Sequence, residues 1–533
     1  MKKILFIRSP RYNEFYLPES MSFQVPLGMC SVASYLKKSM PELSCEIIDC
    51  PAEKIGWHSL EKLIKEKKPD VVAAGEPQGF FYHETAKVFE LAKRLNPETI
   101  TIAGGSFFSS LPDFIFEKFD SVDFITIGES EITFTDLIRA LEEKRDPKDV
   151  EGIVFKNNGA TFHTLKRALI KNLDDLPLPC YDLLPMEKYS WYLHPCQTYF
   201  PLNLFFRKQM ISPSVVLETS RGCSFECDFC SLWSFWADQS SENVTPMFRR
   251  KSVERTIHEI EIAYEKYGRR FFFFTDPTFN LQEEWSDNFC NELLKKNYSD
   301  IGWFAYLRPD FILRDKKNGI LDKMARCGLN SAFIGAEKNP QNPLQYKGKT
   351  DTSCEAIDIL NKKYPNIQTT VSFLLCMPED SYDSTRTLIQ YALKCNPTGI
   401  LAGFFVFPGS SLYKKYSALK NFKTEDFFPT NYSPKFPYYA LTQRLPRIKK
   451  TIFFILIRTN LILAQIFLLF NNGPNKIFSQ VSRKLESFTY KNNIFFTLAN
   501  VSFLFCLIPF LFLRRGISIR TCWLWKKPRW YNS

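Results

Sequence analysis

The chain has 533 residues, 45% of them apolar, 24% charged and 16% aromatic, with a formal net charge of +12. That length exceeds one ordinary core and implies two or three domains, and the composition excludes a disordered chain. The positive charge suits nucleic acid or an acidic membrane surface, but no basic block stands beside an aromatic RNA-binding signature, so no nucleic-acid partner is expected.

The cysteines number 15, and the N-terminal MKKILFIRSPRYNEF offers only a four-residue apolar run before Arg8. That run is too short for the apolar core of a secretory signal and fits a first buried strand. A cytoplasmic location follows, and with it reduced thiols. Cys290, Cys327 and Cys395, set in helical patterns, read as small core residues.

Through residues 1–150 short apolar runs alternate with amphipathic stretches. The runs are Ile4–Ile7, Cys45–Asp49, Asp70–Gly75, Thr99–Gly105 and Val122–Gly128; apolar residues at helical spacing fill the intervals. Strands alternating with helices predict an α/β fold with a parallel sheet covered on both faces, a Rossmann-like doubly wound domain. In such sheets ligands lie at the carboxyl ends of the strands, where Gly75, Gly104, Gly105 and Gly128 stand. Glycines there admit close approach of a ligand to the backbone, and they equally allow tight turns. Residues 151–212, rich in proline and aromatics, read as a linker.

From Pro213 a second alternation begins. Its strand candidates are Ser214–Ser220, Arg270–Asp276, Gly302–Leu307, Ser331–Glu337, Thr369–Cys376 and Gly399–Phe407. Between the first two, Val253, Ile257, Ile260, Tyr264 and Tyr267 form one helical stripe closed by Gly268. Six strand–helix units over 213–416 predict a partial (β/α)6 barrel, short of the full eight. Beyond it, 417–533 reads as a helical apolar tail. Thr451–Phe470 and Ile494–Leu513 are long enough to span a bilayer, and they suggest attachment to the inner face of the membrane through residues 451–513.

Directly after the first barrel strand, TSRGCSFECDFCSLW places Cys223, Cys227 and Cys230 where a barrel carries its active site. A disulfide is opposed by the odd count and the compartment. Structural zinc wants four protein ligands, and only Cys196 and His194, in an irregular passage, offer themselves. Thiolates also hold iron–sulfur clusters, and three of them around four irons leave one iron open for a small molecule.

C-x-x-x-C-x-x-C with Phe229 before the third cysteine, led by RGC, resembles the signature of the radical S-adenosylmethionine superfamily. The likeness continues through FFFFTDPTF, WFAYLRPD, AFIGAEK, LLCMPEDS and FFVFPGSSLY, with Cys376 and Glu379 standing where glycines are usual. It implies a [4Fe–4S] cluster on the three thiolates and S-adenosylmethionine on the open iron. Phe229 would lie beside the adenine, and Arg308 and Asp310 would stand near the mouth. Glu337 would meet the cofactor's polar groups, with a salt bridge to a neighbouring base as the plain alternative. The first domain resembles the cobalamin-binding domain fused to many such enzymes, which puts Gly104, Gly105 and Gly128 near cobalamin. The D-x-H-x-x-G element that supplies a histidine to cobalamin is absent, since none of the five histidines has glycine three positions on. The resemblance thus implies a radical enzyme acting at an unactivated carbon, by methylation or by oxidation or cyclisation. Its substrate would be a small molecule, lipid-like if the apolar tail bears on it, and its electron donor external, such as flavodoxin or ferredoxin. A non-catalytic iron–sulfur redox or sensor protein is the alternative.

Overall fold

A computed structural model of the chain describes residues 3–10, 24–75, 81–157, 159–192, 211–237, 245–337, 352–374, 382–397, 399–402 and 407–417. The first sheet holds β1 (Lys3–Arg8), β2 (Ser44–Asp49), β3 (Val71–Gly75), β4 (Ile100–Gly104), β5 (Phe124–Thr126), β6 (Ile153–Asn157) and β7 (Ala160–His163). Its order is β2-β1-β3-β4-β5-β6-β7, with β1 to β5 parallel. The continuous run Ile4–Ile7 is explained by burial on both faces: Ile4 and Phe6 enter one apolar cluster, Leu5 and Ile7 the other. The order 2-1-3-4-5 is that of a doubly wound sheet, whose ligand crevice opens at the carboxyl ends of its strands.

The sheet does not end near residue 150. β6 and β7 add an antiparallel hairpin drawn from the stretch that the sequence reading assigns to the linker. The sequence pair Asn-Gly at 158–159, two residues between β6 and β7 with Gly159 at φ +82°, is the hairpin signal.

The second sheet runs β16-β15-β14-β13-β12-β9-β8. Its members are β8 (Ser190–Tyr192), β9 (Ile211–Leu217), β12 (Phe271–Phe274), β13 (Gly302–Leu307), β14 (Leu329–Glu337), β15 (Gln368–Phe373) and β16 (Gly399–Ala402). A separate antiparallel pair, β10 (Ser220–Gly222) with β11 (Phe248–Arg250), lies between β9 and β12 in sequence. β9 and β12 to β16 are parallel neighbours, the six strands expected of a half-barrel. β8 is an extra antiparallel edge. Alternation sorts the aromatics by face. Phe274 and Trp303 meet Phe289 of the helix Glu283–Lys295, whereas Phe273, Phe304, Tyr306 and Phe333 pack together on the opposite, inner face.

The linker is tied to both domains through a few buried residues. Cys180 Sγ donates to the Cys30 carbonyl at 3.1 Å and Tyr181 Oη to the Val216 carbonyl at 3.2 Å, so adjacent residues grip both domains. Tyr189 Oη donates at 2.7 Å to Asp49, a fully buried carboxylate that also takes Arg8 and the Ala52 N–H. One apolar cluster therefore runs from Ile4 through Tyr181 and Tyr189 to Val215.

Cys395 departs from the reduced state expected for it: it is disulfide-bonded to Cys354, tying the end of the helix Tyr382–Cys395 to the start of the helix Ser353–Lys363. Cys290 and Cys327 are free and buried, as expected. Among the described residues no helix is long and apolar enough to cross a membrane. The expected helical tail and membrane attachment at 451–513 lie outside the described residues.

Replacing Tyr189 by Phe removes one of the donors that satisfy buried Asp49. The variant is expected to lose about 1–3 kcal/mol of stability, read as a lowered midpoint in urea or thermal unfolding.

Candidate functional site

After β9 the chain turns into β10, which pairs with β11 so that Arg221 stands opposite Arg249. Two features set this turn. Asp276, fully buried at the end of β12, accepts the Thr219 N–H at 3.1 Å, the Thr219 hydroxyl at 2.5 Å and the Ser220 hydroxyl. Gly222 adopts φ +87°, and a Cβ there would stand 1.8 Å from the Met247 carbonyl oxygen. Only glycine fits, and the next residue is Cys223.

Cys223 and Cys230 are partly exposed and Cys227 is buried; all three are free thiols. The loop folds back on itself, for the Cys230 N–H and the Trp233 indole both donate to the Cys227 carbonyl, at 3.0 and 3.2 Å. Burial pushes the Cys230 thiol up to about 12, and charge on Cys227, Cys223 and Glu337 adds to the rise. Those four side chains thus share one electrostatic neighbourhood. Among the described residues no three His, Cys, Asp or Glu side chains are gathered for a single ion. Three soft thiol donors on one loop fit an iron–sulfur cluster that leaves one iron open.

Glu337 ends β14 at a register shift against β15 and takes φ +56°. That left-handed conformation costs a non-glycine residue about 1–2 kcal/mol, and such strain gathers at functional sites. Arg308 ends β13 at the same rim. Asp310 grips its guanidinium at 3.0 and 2.7 Å, and the cation lies 3.7 Å from the centre of the Phe225 ring, within the cysteine loop. Phe229 is half-buried against an apolar cluster of the first domain that contains Phe107 and Phe108.

The carboxyl ends of the two sheets meet. The helix Ser106–Ser110, which follows Gly104 and Gly105, packs on the helix Leu232–Phe235 after the cysteines. Ser234 donates to the Gly409 carbonyl at 2.8 Å, and a Cβ on Gly409 would stand 3.2 Å from both the Ser110 and Ser234 hydroxyl oxygens. Gly105 and Gly128 take φ +88° and +73°, and the Cβ position of Gly128 faces open space. Gly104 instead abuts Thr126, whose Oγ1 would lie 2.9 Å from its Cβ, so it serves close strand packing.

Beside Gly128 lies a buried ion network. Arg221 donates through Nη1 to Glu129 at 2.9 Å, through Nη2 to Glu131 at 2.6 Å and through Nε to Glu218 at 2.7 Å. Arg249 Nη1 reaches both Glu129 oxygens at 2.9 Å and the Ile170 carbonyl at 2.6 Å. The Trp236 ring lies 5.3 Å from the Arg221 guanidinium and 6.0 Å from that of Arg249. Burial alone would raise Glu131, but Arg221 and the Ser31 hydroxyl hold it below the usual carboxylate range, while burial pushes Glu218 up.

The sequence shows RGC at 221–223 and Gly128 at a strand end, with nothing to say that the residues beside them touch. Arg221 and Glu129 are 92 residues apart, and neither motif carries a pattern that names its partner. Asp276 and Arg249 escape for the same reason.

The B12 binding domain model matches residues 19–138 and the Radical SAM superfamily model residues 217–392. An uncharacterized methyltransferase of Pyrococcus horikoshii is 29% identical over 371 residues, 69% of this chain and 73% of that protein. The anaerobic magnesium-protoporphyrin IX monomethyl ester cyclase of Rubrivivax gelatinosus is 25% identical, over 70% of this chain and 62% of its own. The solved structure of TsrM, a radical S-adenosylmethionine methyltransferase from Kitasatospora setae with cobalamin and a [4Fe–4S] cluster bound, shares the fold. It superposes with a TM-score of 0.58 at 15% identity, covering 83% of this chain and 81% of that one.

Fold and site together define a two-domain α/β protein, a B12-binding domain joined to a radical S-adenosylmethionine half-barrel. The chain carries a B12 binding domain and a Radical SAM superfamily domain in tandem, and it is similar to methyltransferases and a cyclase that join the same chemistry. A [4Fe–4S] cluster and S-adenosylmethionine are the cofactors of that class, and its first domain is of the type that takes cobalamin.

Replacing Gly222 by Ala forces a Cβ into the Met247 carbonyl at a left-handed φ. We expect a loss of about 3 kcal/mol, with iron uptake on reconstitution falling along with the melting temperature.

Proposed function

We propose that the chain takes a hydrogen atom from an unactivated carbon of a small organic substrate and, with cobalamin held in the first domain, methylates that carbon. One observation carries the reading: the carboxyl end of the first sheet opens onto the cysteine loop, so ligands of the two domains would face one another. Two methyltransferases among the proteins it is similar to add support.

When bound, the cluster and S-adenosylmethionine supply the 5′-deoxyadenosyl radical and cobalamin the methyl group. The chain supplies placement. Cys223, Cys227 and Cys230 would hold three irons and leave the fourth to S-adenosylmethionine. Glu337, at the end of β14, would accept hydrogen bonds from that cofactor's amino or ribose groups. Arg308 would fix Phe225, and so the front of the cysteine loop, by its fork to Asp310 and its contact with the ring. Gly105 and Gly128 would let the backbone approach cobalamin, and Phe229 would close the seam between the domains. Phe273, Phe304, Tyr306 and Phe333 line the inner face of the half-barrel, and an apolar wall of this kind keeps water from a reactive radical. Electrons would come from an external flavodoxin- or ferredoxin-like donor. The tail that suggested a lipid-like substrate and membrane attachment is outside the described residues, so the substrate class stays at a small organic molecule.

Anaerobic purification with iron, sulfide and corrinoid analysis tests the cofactors, and incubation of reduced protein with S-adenosylmethionine tests the chemistry. We expect 5′-deoxyadenosine from the wild type and none above background from Cys227→Ala, which should also lose the brown chromophore. Equal yields from the two proteins would leave only a cluster carrier.

A further inference from the structure

Charge buried between two domains asks for a reason beyond stability, because apolar packing of equal volume often serves as well as a buried ion pair. Arg221 is 5% exposed, and all three of its nitrogens reach carboxylates: Glu218 of its own domain, Glu129 and Glu131 of the other. A planar guanidinium bound this way sets direction as well as distance, which a lysine ammonium does not. Its placement is the telling feature. Glu129 follows Gly128 at the end of the first domain's crevice, and Arg221 precedes Gly222 and Cys223 at the start of the cluster loop.

Arg249 completes the device. Standing opposite Arg221 on β11, it would repel its neighbour, as like charges do across an antiparallel pair. Glu129 sits between them, bonded to both at 2.9 Å. Glu129, carried by the first domain, is therefore the group that separates the two like charges of the β10–β11 pair. Glu131 extends the grip to Ser31 on the helix Leu27–Ser39 at 2.7 Å, and Ile170 brings in the linker through its N–H to Glu129 at 2.6 Å.

From this we infer that Arg221 is a positioning residue: it holds the Gly128 end of the first domain and the cysteine loop in one relative arrangement, so that the methyl donor and S-adenosylmethionine face each other at fixed separation. The purpose rests on the cofactor reading above; the lock itself does not.

The test compares wild type with Arg221→Lys, which keeps the charge and loses the fork, Glu131→Gln, which keeps the shape and the Ser31 contact, and Arg221→Met. Cofactor-free proteins are examined by calorimetry and by limited proteolysis of the linker. The same proteins, reconstituted with iron, sulfide and cob(II)alamin and reduced with dithionite, are examined by EPR for the magnetic interaction between the cobalt and cluster spins. Wild type should unfold in one transition and give one well-defined interaction. The variants should unfold in two transitions, expose the linker to protease, and broaden or lose the interaction while retaining both cofactors. Should Arg221→Met not fold, the two milder variants decide. Should the wild type take up no corrinoid, the methyl-transfer reading falls, and the unfolding of the cofactor-free proteins still decides the lock. A single transition together with a wild-type EPR line in Arg221→Lys and Glu131→Gln would overturn the inference.

Discussion

Ionised groups taken out of water need partners of opposite charge, and that requirement bears on how the two halves of this chain sit together. Arg221, Arg249, Glu129 and Glu131 are all nearly inaccessible, and removing one partner of such a set leaves a charge that costs several kcal/mol to keep buried. The bonds that offset this cost cross the domain boundary, from Arg221 to Glu129 and Glu131 and from Arg249 to Glu129. Because the acids follow Gly128 and the arginine precedes Cys223, the answer to the charge problem also sets where the Gly128 turn and the cysteine loop lie. Asp276 repeats the logic on a smaller scale, holding the turn before the first cysteine through two hydroxyls and an amide.

Much of the architecture was legible because burial on both faces leaves a plain mark. Ile4–Ile7, Val71–Ala74 and Phe271–Phe274 are continuous apolar runs, and each is a parallel strand. The hairpin of β6 and β7 was less visible. Its strands are short, β7 has no fully buried residue, and its turn lay inside a stretch whose prolines drew attention to irregularity. The linker's order was hidden for a related reason: Cys180, Tyr181 and Tyr189 are held by hydrogen bonds to distant residues, and such bonds leave no local period.

At the site the pattern is similar. The cysteine spacing was legible because three cysteines within eight residues form a local pattern. Glu337 could be picked out as an acid at a strand end, although its left-handed backbone could not. Gly104 looked equivalent to Gly105 and Gly128, yet the first packs against Thr126 while the other two take positive φ. Distinguishing close packing from a left-handed turn requires the backbone itself. The charged residues were least legible of all, since a buried arginine and a surface arginine are spelled alike.

The bond between Cys354 and Cys395 closes a loop of 41 residues that contains β15. Chain-entropy reasoning makes a closure of that length worth about 4 kcal/mol to the folded state. A radical S-adenosylmethionine cluster has to be reduced before it reacts, and a reductant strong enough for that task also opens disulfides that are accessible to it. The far side of the half-barrel would then loosen under the very conditions in which the near side begins to work. Handling in air and handling in strong reductant would therefore present two forms of the same fold, differing in how firmly the strands beyond β14 are fastened.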